Sequence, residues 1–327
     1  MISNPLYLIS LLVGSWLAFF TAAAVIDTAI FIFGIKNRRL RSCLRFIPFI
    51  NLPADLFFNW FNPLSCGSCL QNLILQISPP QLKEYLNANE ISLMNYLAPE
   101  YAAPLFTALF FLLCLATVFF VVQTTYRAIR SIRSCRVLKE NSRIFKQKII
   151  SRRLESTLKR RRVRIYVSAA VASPTAAPFS SLFLPESVVR MASQQEIEAI
   201  IAHELEHILW LDPISRIIIH IIASIFWWVP VKSWMEKFEQ EQEMACDCSI
   251  RKYGFDAETL ASALLNAAKQ AKAFPSAILC RLSGKRHLVV ARIRELLGYQ
   301  LNTKEKLKIS ALLIAGMGFF LMIFCLL

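Results

Sequence analysis

Apolar residues fall in this chain in long uninterrupted runs rather than at the spacings of a soluble fold. Leu6 to Phe33 is almost continuous hydrocarbon, Ala102 to Val122 repeats the pattern, and Ile309 to Leu327 closes the sequence. Each is about as long as a helix must be to cross a hydrocarbon core of ~30 Å. Residues 46–77 are also apolar but are broken by prolines and by Asp55, and part of this stretch is expected to form a second, imperfect membrane element. Asp27, near the inner end of the first run, is read as snorkelling to the interface.

Basic residues give these runs a direction. KNRRLRSCLR follows the first run at 36–45, 15 Lys or Arg stand against Glu140 and Glu155 between Gln123 and Arg164, and KEKLK precedes the last run at 304–308. Such flanks stay on the cytoplasmic side. The N-terminus is then expected outside, with a short external segment at 64–101. No positive charge precedes the first run within Met1 to Ser10, which speaks against a cleaved signal peptide.

Behind the second span the periodicity changes. Val163 to Ser168 and Ser180 to Leu184 are short, β-branched or aromatic and strand-like, and Gln194 to Leu211 is helical with Ser193 as N-cap. The expected fold is a mostly α-helical integral membrane protein with about four membrane elements and a small cytoplasmic α+β domain. Residues 1–122 would be the N-terminal membrane region, 123–308 the cytoplasmic domain with its basic helical start, and 309–327 a C-terminal transmembrane helix.

Composition supports the membrane reading, with 56% hydrophobic residues and a mean hydropathy of +0.47. A net charge of +15 would suit nucleic acid, but it is concentrated beside membrane runs and no nucleic-acid fingerprint accompanies it. The bilayer is the expected partner, and direct nucleic-acid binding is not. The nine cysteines form no disulfide framework. Cys66 and Cys69 are the close pair expected to face an oxidising side, as a disulfide or as free thiols.

The chemistry centres on HELEH at 203–207. Positions i and i+4 share a helix face, so His203 and His207 can aim at one ion, and Glu204 projects about 100° away, where it suits a general base. Catalytic zinc takes three protein ligands. The segment FEQEQEMACDCSI at 238–250 offers Glu239, Glu241 and Glu243; helical geometry puts Glu239 and Glu243 on one face and Glu241 away from both. Asp247 extends that face by a turn and favours Glu243, because it could accept a hydrogen bond from a ligand histidine.

HELEH, Asp212, WWVPVKSW at 227–234 and Glu243-Met-Ala-Cys246-Asp247 together resemble the membrane-embedded metallopeptidase domain of the BlaR/MecR antibiotic-sensing signal transducers, of gluzincin type. The resemblance implies a zinc endopeptidase with His203, His207 and Glu243 as zinc ligands and Glu204 as base, in the bacterial inner membrane with its catalytic domain cytoplasmic. It implies a protein substrate such as a transcriptional repressor. HtpX-type quality-control proteases share the first motif but usually have alanine where Cys246 stands; a non-catalytic sensor keeping the zinc fold is a third reading. Two departures are Trp210-Leu211, often basic in the family, and the lack of a glycine before Leu184-Pro185. Large members carry a penicillin-binding sensor after the last span, whereas this sequence stops at Leu327, so direct β-lactam sensing is not expected.

Sharing one ion constrains the segment between the motifs. Ile214 to Trp228 is apolar, yet it cannot be a single span if His207 and Glu243 meet on one side. A core helix, an interfacial helix or a re-entrant hairpin remains. His220 within it is expected to be a satisfied core histidine; Tyr253, Arg251 and His287 are no better candidates for an oxyanion donor. Glu198 and Glu206 are read as solvated, Trp227, Trp228 and Trp234 as an interfacial belt, and Cys246 as a packing residue, since a fourth protein ligand would close the site.

Overall fold

The computed structural model describes residues 5–61, 103–178, 180–271, 292, 293 and 296. The external segment 64–101, Cys66, Cys69, His287 and the run 309–327 lie outside these residues. The first run forms helix α1 (Pro5–Ile32) and turns back through Gly34, whose φ of 54° suits a residue without Cβ. Helix α2 (Arg38–Phe61) follows. Asn37 caps it, its side chain accepting the N–H groups of Arg39 and Leu40 at 3.0 and 3.2 Å. The return element therefore starts eight residues before Phe46, and KNRRLRSCLR is the first turns of a helix rather than a loose flank.

Helix α3 (Ala103–Glu140) is 38 residues long, about 57 Å at 1.5 Å per residue. Its first half exposes Phe111, Leu112, Leu115 and Phe119, and its second half carries Arg127, Arg130, Arg133, Arg136 and Lys139, so a helix of this length can cross a bilayer and continue beyond it. Among the described residues two helices are long and apolar enough to span, over Leu11–Ile32 and Pro104–Glu140.

Next comes a four-stranded sheet in the order β1-β2-β4-β3, with β1 (Arg143–Ile144), β2 (Arg164–Ser168), β3 (Thr175–Ala177) and β4 (Ser181–Pro185). Strands β2 and β4 run parallel, while β1 and β3 pair antiparallel to them. Just before β4, Ser180 takes φ 63°, a conformation that costs a side-chain residue about 1–2 kcal/mol. Helix α4 (Arg152–Arg160) joins β1 to β2, and α5 (Glu186–Met191) follows β4.

Helix α6 (Gln194–Leu209) starts at the expected Ser193, which forms a full capping box with Glu196. It ends at Leu209, and Leu211, with a φ of 57°, turns the chain into α7 (Asp212–Ile225), bent by 52° from α6 with Pro213 in its first turn. Helix α8 (Lys232–Ser249) and α9 (Ala257–Ala271) complete the fold. Leu154, Leu182, Leu184, Ile197, Ile201, Leu205 and Leu260 form the core between sheet, α6 and α9.

The turn from α7 to α8 runs beside α1. Trp228 Nε1 donates to Ser15 Oγ at 2.8 Å, Trp16 Nε1 donates to the Trp228 carbonyl at 3.1 Å, and Lys237 Nζ meets Asp27 at 3.0 Å. These contacts tie the α7–α8 turn and Lys237 to α1, while α7 packs mainly on α3 and α8 mainly on α2.

Apolar contact alone does not hold helices together in lipid, and two further readings change here. Asp27 does not snorkel but pairs with Arg45 at 2.7 Å and with Lys237. Trp234 is no belt residue: it is buried against Phe19 and donates to the Arg45 carbonyl at 2.8 Å. Glu198 and Glu206 are likewise buried rather than solvated. Glu198 accepts the backbone N–H groups of Ile150 and Ser151 at 2.8 and 3.0 Å, fixing the start of α4, and Glu206 accepts the Tyr253 hydroxyl at 2.7 Å.

Candidate metal centre

Helix α6 carries His203 and His207 one turn apart on the face turned towards α8, and both are buried. Their Nε2 atoms are 3.3 Å apart. Glu243 on α8 brings Oε2 to 3.5 Å from His203 Nε2 and Oε1 to 3.5 Å from His207 Nε2. Three atoms bound tetrahedrally to zinc at ~2.0–2.1 Å would lie about 3.3 Å from one another, so the observed separations fit one ion with little movement.

The other side of each ring supports that fit. His207 Nδ1 is 2.8 Å from Asp212 Oδ2, and His203 Nδ1 is 2.9 Å from Asp247 Oδ1, the latter off the line of a well-formed hydrogen bond. A proton on each Nδ1 satisfies these carboxylates and leaves both Nε2 lone pairs facing each other and Glu243. Acceptors so gathered call for positive charge, which the Arg292 and Arg216 guanidinium groups supply here; a metal bound between the three would displace Arg292 from His203 Nε2 and Glu243. Burial alone would push the Glu243 carboxyl up, but His207, when its imidazole is protonated, and the Arg292 guanidinium hold it well below the ordinary carboxylate range, so it is an anionic donor.

His207, Asp212 and Cys246 also lie within metal-binding distance of one another. They gather on the Nδ1 side of His207, where Arg39 already places a guanidinium: Nη1 is 2.8 Å from Asp212 Oδ1 and Nη2 is 3.2 Å from Cys246 Sγ. A second metal there would have to displace that cation. Cys246 Sγ sits 3.4 Å from Nδ1, across the ring from Nε2, so it does not face the ion that His203 and Glu243 would share. Burial pushes its thiol up, in keeping with a packing role.

Glu204, the expected base, is buried directly after His203. Tyr253 is committed to Glu206, and His220 is exposed on α7 instead of packed in a core; neither reaches the three converging atoms. The sheet also bears on how an extended substrate could be held. Ser180 to Leu184 overlaps β4, which is buried and paired on both sides, so the free sheet edge beside α6 is β3.

A family model described as BlaR1 peptidase M56 matches residues 78–296, more than half of the 327 residues. The chain belongs to the BlaR1 peptidase family. The methicillin resistance mecR1 proteins of Staphylococcus aureus and Staphylococcus epidermidis are each 29% identical to it over 137 residues, 41% of this chain and 21% of the relative's length. The chain thus aligns with about a fifth of the length of these curated relatives.

Three residues of this BlaR1-type site were not assigned a role from sequence. Asp212 stood in the motif without one, and its position five residues after His207, across a helix break, is the signal that it could turn back onto that ring. Arg216 lies one turn further along α7 and donates to Glu243 Oε1 at 2.8 Å. Arg292 spans the site: Nη1 is 2.8 Å from Glu243 Oε2, Nη2 is 2.6 Å from Asp247 Oδ1 and 3.2 Å from His203 Nε2. Neither arginine belongs to a pattern that singles it out among 37 basic residues.

Proposed function

We propose that this chain is a membrane-bound zinc endopeptidase that cleaves a cytosolic or membrane-proximal regulatory protein, such as a transcriptional repressor. The observation that carries the reading is the convergence of His203 Nε2, His207 Nε2 and Glu243 within 3.5 Å of one another, with an acid behind each imidazole. His203, His207 and Glu243 would hold the metal. When bound, zinc would supply Lewis acidity that polarises a peptide carbonyl and eases deprotonation of water.

The chain's own groups do the rest. Glu204 accepts the proton from the attacking water and passes it to the departing amine. Asp212 and Asp247 fix the two rings, and the free edge of β3 offers main-chain hydrogen bonds to an extended substrate. The methicillin-resistance role named for the mecR1 relatives favours a dedicated regulatory client over the broad client range of a quality-control protease. Peptides cleaved in cells with the native protein should differ from those with Glu204→Gln at one regulator or a few; hundreds of differing membrane proteins would instead support the quality-control reading, and no difference a non-catalytic sensor.

In the same proposal the peptidase part, within 123–308, faces the cytoplasm, and 64–101 and both termini face outward, because the Lys/Arg clusters then lie inside. Tags at the N-terminus and near residue 90 should be reached by an impermeant reagent in intact cells, and tags near 140 and 162 only after lysis. Labelling at 162 in intact cells would reverse the orientation.

A further inference from the structure

Helix α2 packs on α8, which carries Glu243, and on the start of α7, directly behind His207. Arg39, in its first turn, places Nη1 at 2.8 and 3.0 Å from the two oxygens of Asp212, and its guanidinium stacks 4.7 Å from the Trp210 ring centroid. Asp212 is 2% exposed, and its Oδ2 faces His207 Nδ1 at 2.8 Å. Gln242 donates to Asp212 Oδ1 at 2.9 Å. Further along α2, Arg38, Arg41 and Arg45 surround Glu241 at 3.2, 3.6 and 3.8 Å. Glu241 precedes Glu243 by two residues on α8, about 200° round the helix. Helix α8 thus shows its front to the histidines and its back to α2.

We propose that Arg39 is a positioning residue of the metal centre: it fixes the plane of Asp212, Asp212 fixes the ring of His207, and α2 thereby sets how tightly the chain holds zinc. The inference rests on the reading of His203, His207 and Glu243 as zinc ligands. Arg39 Nη1 bridges both oxygens of Asp212 while Nη2 reaches Cys246 Sγ at 3.2 Å, so the guanidinium holds the carboxylate in place and ties it to α8 by charge-assisted hydrogen bonds; without it, the carboxylate keeps Gln242 as its amide donor and is freer to rotate away from the imidazole. Outer partners of metal-bound histidines change affinity by ~10- to 100-fold when removed. Arg39 belongs to the membrane hairpin α1–α2, so displacement of that hairpin alters the same contact.

The test is the rate at which a chelator strips zinc from full-length protein purified in detergent, for wild type, Arg39→Gln, Arg39→Lys, Asp212→Asn and Arg39→Gln/Asp212→Asn. Arg39→Gln should lose zinc affinity about 10- to 100-fold. Arg39→Lys, which keeps the charge but has a single nitrogen for Asp212 and Cys246, should fall between it and wild type. The double variant should be no weaker than Asp212→Asn alone. Wild-type affinity in Arg39→Gln, or a double variant in which the two losses multiply, overturns the inference. Should Arg39→Gln fail to fold, Arg39→Lys decides: a stripping rate equal to wild type overturns it. A wild-type protein that binds no stoichiometric zinc, or a His203→Ala variant that binds it normally, would overturn the ligand assignment beneath it.

Discussion

Glu204→Gln is expected to keep one zinc per chain and to lose peptide hydrolysis by a factor of about 10²–10⁴. Glutamine preserves the volume of the side chain and removes only its ability to accept and return a proton. Glu204 is not one of the three converging atoms, so the ligand set is left intact. Its carboxylate lies near Arg292, whose guanidinium burial would lower but which Asp247, Glu243 and Glu204 together raise. Loss of that one charge leaves Arg292 held by Asp247 at 2.8 and 2.6 Å and by Glu243, so the fold of the site is expected to survive. Metal content, peptide turnover and apparent melting temperature measured on the same preparation separate these effects. Undiminished turnover would remove Glu204 from the mechanism, and lost zinc would make it a ligand or a structural residue instead.

What could be read from the sequence was local. The Ser193 cap lies three residues from its partner Glu196, the two histidines lie four apart, and strands β2 and β4 announce themselves by composition within five residues each. Long-range pairing carries no such mark. Arg39 meets Asp212 across 173 positions, Lys237 meets Asp27 across 210, and Trp228 meets Ser15 across 213. A basic run after an apolar run satisfies the positive-inside rule whether its arginines face headgroups or carboxylates, so KNRRLRSCLR gave no hint that it would clasp the metal-site helices. Glu198 and Glu206 misled for a related reason. A glutamate on a helix is solvated unless backbone N–H groups or a tyrosine arrive from elsewhere in the fold, and here Ile150, Ser151 and Tyr253 do. The edge strand was missed because β3 is three residues long, and its single β-branched residue, Thr175, is followed by two alanines that are depleted in strands.

Helical spacing left Glu239 and Glu243 as possible third ligands, and the geometry separates them sharply enough to rank four substitutions. Glu243 is the acid that comes within 3.5 Å of both Nε2 atoms; Glu241 points to the arginines of α2; Glu239, one turn before Glu243, lies beside Arg216 and His220 of α7. Glu243→Ala is therefore expected to abolish stoichiometric zinc and all peptidase activity. The loss should exceed that of any outer partner, because a direct donor disappears and the positive charges of Arg216 and Arg292 remain against the site. Asp247→Ala should weaken zinc by about 10- to 100-fold, since His203 keeps its ligand atom but loses the acid behind its ring. Glu241→Ala should keep the ligands while loosening α2, so zinc should be retained at saturation and stripped faster. Glu239→Ala should match wild type in both. Metal analysis of the purified variants, followed by stripping rates for those that load, gives the order directly. Full zinc occupancy in Glu243→Ala would place the third ligand elsewhere, and an equal loss in Glu239→Ala would mean that α8 sits one turn out of the register described.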